Sequence, residues 1–200
     1  MRIPTTASAL IGALLLGGCG ASTLPPTDTM LSGAHASLEE NDAATARQWL
    51  ESAEPTLDNA RERKEYELLM AEVEIRTGQA DVVLPVMDRL LAADPSDPRA
   101  HEMAGKARLM LGEFSEARQH FGVAATSYSR SADVSRAQDL GALAEGFEAY
   151  AVGRVALAED AWAAIVDPKL RAGVLGASGG DGPGLAADDG ALARFDHSNR

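Results

Sequence analysis

The sequence predicts an all-α protein on three observations. From Met30 to about Pro168, apolar residues recur three and four positions apart, the spacing that lines one face of an α-helix. The same stretch is built largely of Ala, Leu, Glu and Arg, which lose little side-chain freedom in a helix. Nowhere does a run of Val, Ile, Thr and aromatic residues alternate at period two, so a sheet has no source.

The chain opens with Arg2 and then the apolar run Ala7 to Leu16, which at ten residues is too short to span a bilayer. Small residues follow. The segment Leu16-Gly17-Gly18-Cys19 resembles a bacterial lipobox, and that resemblance implies a lipoprotein signal peptide over residues 1–18 with lipidation at Cys19. Three acyl chains, each contributing about 0.8 kcal/mol per buried methylene, would hold the protein on a membrane. Gly20 stands where an Asp resembles the inner-membrane retention signal, which implies passage to the outer membrane, on its periplasmic face. Cys19 is the only cysteine, so no internal disulfide forms and packing alone holds the core. Residues 19–28, with Pro25-Pro26, read as a short stiff tether.

The helical stretch, residues 29–168, divides at four turns. Asn41, Gly78, Gly112 and Gly153 are residue types that end a helix in the left-handed conformation. Ala34, Ala71, Gly105 and Gly146 are small residues suited to a close crossing of two helix axes. After each turn an apolar set recurs at spacings of four and three: Ala46, Leu50, Ala53; Val83, Met87, Leu90; Ala117, Phe121, Ala124; and Ala158, Trp162, Ile165. Asp97-Pro98 is an N-cap followed by proline at the first helical position. Pro85 lies a turn inside a second helix, where it predicts a late start or a kink.

Sliding the chain on itself by thirty-four residues brings Gly78 onto Gly112, Ala71 onto Gly105 and Met87 onto Phe121. In this the chain resembles the tetratricopeptide repeat family, whose unit is two antiparallel helices in thirty-four residues. The third unit is the most complete, with Pro98, Ala100, Gly105, Ala107, Gly112, Phe114, Ala117, Phe121 and Ala124 in place. The first unit, Met30 to Pro55, has about three extra residues after it, and the last, Asp139 to Pro168, has about seven before it in Thr126 to Gln138. The resemblance implies an α-solenoid of about four units. After about Arg171 the pattern gives way to Gly and Asp, and residues 169–200 are expected to be a disordered tail.

A formal net charge of -12 argues against nucleic acid as a partner. Catalytic patterns are scarce. Gly176-Ala177-Ser178-Gly179-Gly180 matches the nucleophile elbow only as letters, since that motif needs a strand before it and a helix after it. The histidines His35, His101, His120 and His197 show no metal-ligand spacing, so no metal is expected and no cofactor beyond the lipid on Cys19. Glu39-Glu40 and Asp188-Asp189 are adjacent pairs that diverge by about 100° on a helix. They read as solvated charges, and the chain is not expected to be an enzyme.

In the solenoids this chain resembles, the inner wall comes from the first helix of each unit. The resemblance therefore assigns a partner-binding groove to Leu31, His35, Leu68, Glu72, Ile75, Glu102, Lys106, Leu109, Met110, Leu143, Phe147 and Tyr150. Most of these are apolar, so a protein partner with an apolar or amphipathic segment is expected, unless these side chains pack between neighbouring units or the chain's own tail covers them through Leu185 and Phe195. Lipobox plus repeats resembles the pilotin-like assembly lipoproteins of type IV-related pili, including the tight-adherence system. That implies a scaffold binding a secretin or another pilus-assembly component. Lipoproteins that recruit peptidoglycan enzymes, or that aid outer-membrane protein assembly, share the same construction.

Overall fold

The computed structural model describes residues 25–177. Among them the protein is all-helical: α1 (Thr27–Glu39), α2 (Ala43–Ala53), α3 (Ala60–Arg76), α4 (Ala80–Ala93), α5 (Pro98–Met110), α6 (Phe114–Ser127), α7 (Ser131–Ala151), α8 (Val155–Ala163) and α9 (Pro168–Ala177). No helix among these residues is long and apolar enough to cross a membrane. Cys19 and the tail beyond Ala177 lie outside the described residues.

Four pairs, α1/α2, α3/α4, α5/α6 and α7/α8, are closed by the same turn. Asn41, Gly78, Gly112 and Gly153 take φ values of 61°, 81°, 78° and 77°. At each, two reverse bonds satisfy carbonyls that the helix end leaves open. In the second pair, Gly78 N–H donates to Ile75 at 3.2 Å and Gln79 N–H to Glu74 at 2.8 Å, and the other three turns repeat the pattern. Starts are capped as locally: Asp42 accepts from Thr45 N–H, Asn59 from Glu62 N–H, and Asp97 from Arg99 and Ala100 N–H.

In three of the four pairs a glycine on the first helix lies beneath a large side chain sixteen positions later. A β-carbon on Gly33 would stand 2.9 Å from the Trp49 ring, one on Gly105 would meet Phe121, and one on Gly146 would meet the Trp162 indole. Each helix packs on the next, and α3 also packs on α1 and α5. The core accordingly runs as three clusters in chain order. The first joins α1, α2 and the Leu69/Val73 side of α3. The second joins Leu68, Ala71 and Ile75 to α4 and α5, and the third joins Leu109 to α6, α7, α8 and α9.

Three features refine the sequence reading. The extra residues before the last pair lengthen a helix: α7 is 21 residues long against 13 for α5. Seven added residues make about two turns and return the helix to nearly the same face. Pro85 neither delays nor ends α4, which starts at Ala80 and continues to Ala93. Its missing N–H falls on the solvent side, where both Pro85 and Asp81 are exposed and water can take the freed carbonyl.

The third correction concerns the boundary at residue 169. Residues Pro168–Ala177 form α9, and Leu170 and Val174 are buried against Trp162 and Ile165. Asp167 caps the helix by accepting from Lys169 N–H at 2.8 Å. Asp139 on α7 holds the preceding turn, its two carboxylate oxygens accepting from Val166 and Asp167 N–H at 2.7 and 2.9 Å. Asp167-Pro168 carries the same cap-and-proline signal as Asp97-Pro98, so α9 was legible in the sequence.

Candidate functional site

The first helices leave a groove of about 680 Å³, walled by α1, α3, α5 and α7. Opposite charges on neighbouring first helices meet across it. Glu65 and Arg99, Glu72 and Lys106, and Glu102 and Arg136 are each thirty-four residues apart and each hydrogen-bonded. The Glu65 carboxylate takes both terminal nitrogens of Arg99. Lys106 bridges Glu72 at 3.2 Å and Glu102 at 3.3 Å, while Arg76 reaches Glu72 at 3.0 Å and the Leu38 carbonyl at 2.6 Å. The result is a ladder of alternating sign from the end of α1 to the start of α7.

Glu102 is its centre and is only 2% exposed. Its carboxylate accepts two bonds from Arg136, at 3.1 and 2.8 Å, and one from the Tyr128 hydroxyl at 2.7 Å. Burial works against the Glu102 charge, yet Lys106 and Arg136 outweigh it and hold the carboxyl below its ordinary pKa. Burial likewise opposes the Arg136 charge, but its bonds to Glu102 and Asp133 hold the guanidinium more firmly protonated than usual. The Tyr128 hydroxyl is pushed up by burial and by the neighbouring Glu102 charge. Arg136 also lies over the Tyr128 ring, 5.6 Å from its centroid. These contacts fix the groove's charges in place before any ligand arrives.

The structure divides the groove residues expected from the sequence. His35, Leu68, Glu72, Glu102 and Lys106 line it. Leu31, Ile75, Leu109, Leu143 and Phe147 do not: they are buried between helices, none more than 7% exposed. Met110 and Tyr150 are half-buried against the core clusters. A first helix packs on its own second helix and on a neighbouring pair, so most of its apolar residues are consumed there and charges face the groove. The wall is therefore mixed, with charged side chains set beside Leu38, Leu68, Leu69 and Met103. Arg76, Arg99, Met103 and Arg136 join it unexpectedly, though the charge pairs at offset thirty-four were readable in the sequence.

Beside this groove, His101 on α5 and His120 on α6 come together, with their Nδ1 atoms 2.9 Å apart. Nineteen residues separate them in sequence, and the antiparallel turn at Gly112 makes them neighbours. Among the described residues no group of three or more side chains converges to hold a metal. Ser178 of the elbow-like letters, His197 and Asp188-Asp189 lie outside the described residues. No family model, no curated protein and no solved structure matches this chain.

Proposed function

We propose that the protein is a lipid-anchored scaffold of tetratricopeptide-like repeats that holds a segment of a partner protein in its charged groove. The observation that carries this reading is the ladder of preorganised charges lining an open groove of about 680 Å³. Its volume is in the range of binding clefts, and its polar atoms are held in fixed positions rather than free to collapse. The repeat reading is supported by the four identical turns, the small-under-large crossings and the Glu65–Arg99 and Glu72–Lys106 pairs at the repeat length. A solenoid of four units with α9 as its cap follows, since a terminal repeat needs its open apolar face covered. The anchor rests on Leu16-Gly17-Gly18-Cys19 and Gly20, and places the scaffold on the periplasmic face of the outer membrane. There it works in assembly of a pilus or secretion complex, in the manner of pilotin-like lipoproteins. The segment it takes is amphipathic, with charges that meet the ladder and apolar side chains that meet Leu38, Leu68 and Met103.

Two experiments test this. Photo-crosslinking residues placed at His35 and Arg99 in the groove are expected to capture a partner protein in cells, and probes at Arg89 and Arg118, on second helices, are not. Equal capture from both sets would sink the groove. Wild-type chain is expected to take up radioactive palmitate and fractionate with outer membranes, and Cys19→Ala to do neither; label that survives the substitution would remove the anchor.

A further inference from the structure

His101 and His120 are arranged as ligands are, and nothing in the groove uses them. His101 Nε2 lies 3.0 Å from the Pro95 carbonyl, which can only accept, so the ring carries its proton on Nε2 and keeps a lone pair on Nδ1. A backbone carbonyl holding the far ring nitrogen is the usual outer support of a metal-bound histidine. The His120 Nδ1–H donates to that lone pair at 2.9 Å, a hydrogen bond that a bound ion would replace. The rings are tilted by 45° with centroids 5.1 Å apart, so neither stacks on the other to block the space between the nitrogens. We propose that His101 and His120 form a binding site for a divalent late first-row metal ion of the Cu(II) or Ni(II) type, with water in the remaining positions.

The separation is compatible with this class of ion. With metal–nitrogen bonds of about 2.05 Å, two nitrogens 2.9 Å apart subtend about 90° at the metal, the cis angle of a square-planar or octahedral ion. A tetrahedral ion would need about 3.3 Å. Binding needs no net loss of a proton: His120 gives up its Nδ1 proton and takes one on Nε2, remaining neutral as it changes tautomer. The charge of Arg108 on α5 opposes the incoming cation, and that of Asp88 on α4 favours it.

The test is a titration of the full chain with Cu(II) chloride at neutral pH, followed by calorimetry and the visible d–d band. One ion per chain is expected, with affinity at least tenfold weaker in both His101→Ala and His120→Ala and unchanged in His35→Ala. Conservative His101→Asn and His120→Asn variants, checked by melting, give the same reading if an alanine variant fails to fold. Equal affinity in wild type and in the His101 and His120 variants, or no binding by wild type, overturns the site.

Discussion

A β-carbon on Gly105 would stand 2.6 Å from Cε1 of Phe121, a ring with no exposed surface and no room to withdraw. Gly105→Ala is therefore expected to destabilise the protein by about 1–3 kcal/mol despite the higher helix propensity of alanine. Gly146→Ala, beneath the equally buried Trp162, should behave likewise. Gly122 on α6 has nothing within 4 Å of a built β-carbon, so Gly122→Ala should instead stabilise by about 0.5–1 kcal/mol. Urea denaturation of the three variants gives the comparison, and equal shifts would refute the close-crossing argument.

What the sequence made legible was what local chemistry dictates. A left-handed turn demands Asn or Gly, a close crossing demands a small residue, and a buried second-helix face demands apolar residues at fixed spacing; Asn41, Gly105 and Phe121 each meet their demand. The groove was less legible because periodicity says that a helix has a buried side without saying against what. α5 is buried around much of its circumference, at Ala100, Glu102, Met103, Ala104, Gly105, Ala107 and Leu109. No single stripe distinguishes its groove face from its core faces. Charge pairing at an offset of thirty-four does, since Glu72 and Lys106 or Glu102 and Arg136 read as partners once the offset is known. α9 was hidden by Gly173, which dilutes its pattern, although Asp167-Pro168 announced its start.

Breaking the centre of the ladder should cost far more than breaking its rim. Glu102→Ala leaves Arg136, Lys106 and Tyr128 facing a buried void, and a loss of about 3–5 kcal/mol is expected. The Glu65–Arg99 pair is more exposed, so Glu65→Ala should cost about 1 kcal/mol or less.

The same carboxylate carries a pH signature. Its pKa is lowered on folding, so its contribution is full above the unfolded value of about 4.3 and disappears as pH falls through the native pKa. The stability gap between wild type and Glu102→Gln should therefore be widest near neutrality and close in acid. Denaturant curves for both proteins from pH 7 to pH 3 measure it, and a gap constant across that range would show that the Glu102 charge does not hold the network.

Leu170 and Val174 belong to the same core as Trp162 and Ile165, so α9 should be indispensable to the last helix pair. Val174→Ala is expected to destabilise by about 1 kcal/mol or more and Leu170→Ala by about 2–5. Truncation before Pro168 should lower the melting temperature by several degrees and raise the fluorescence sensitivity of Trp162 to an added quencher. An unchanged melting temperature would mean that α9 contributes no packing.

The turn into α9 offers a sharper test, because its two N–H donors depend on one side chain. Asp139 is 6% exposed and gives one carboxylate oxygen to Val166 N–H and the other to Asp167 N–H. Asp139→Asn keeps the shape but replaces one acceptor with an amide NH₂, which would point donor to donor at one of these two backbone groups. Leaving one of these part-buried donors unmatched costs about 1 kcal/mol. Asp139→Asn should therefore destabilise almost as much as Asp139→Ala, and amide exchange at Val166 or Asp167 should accelerate in both. If Asn preserved wild-type stability and slow exchange at both amides, the two-oxygen clamp would not be what holds α9 in place.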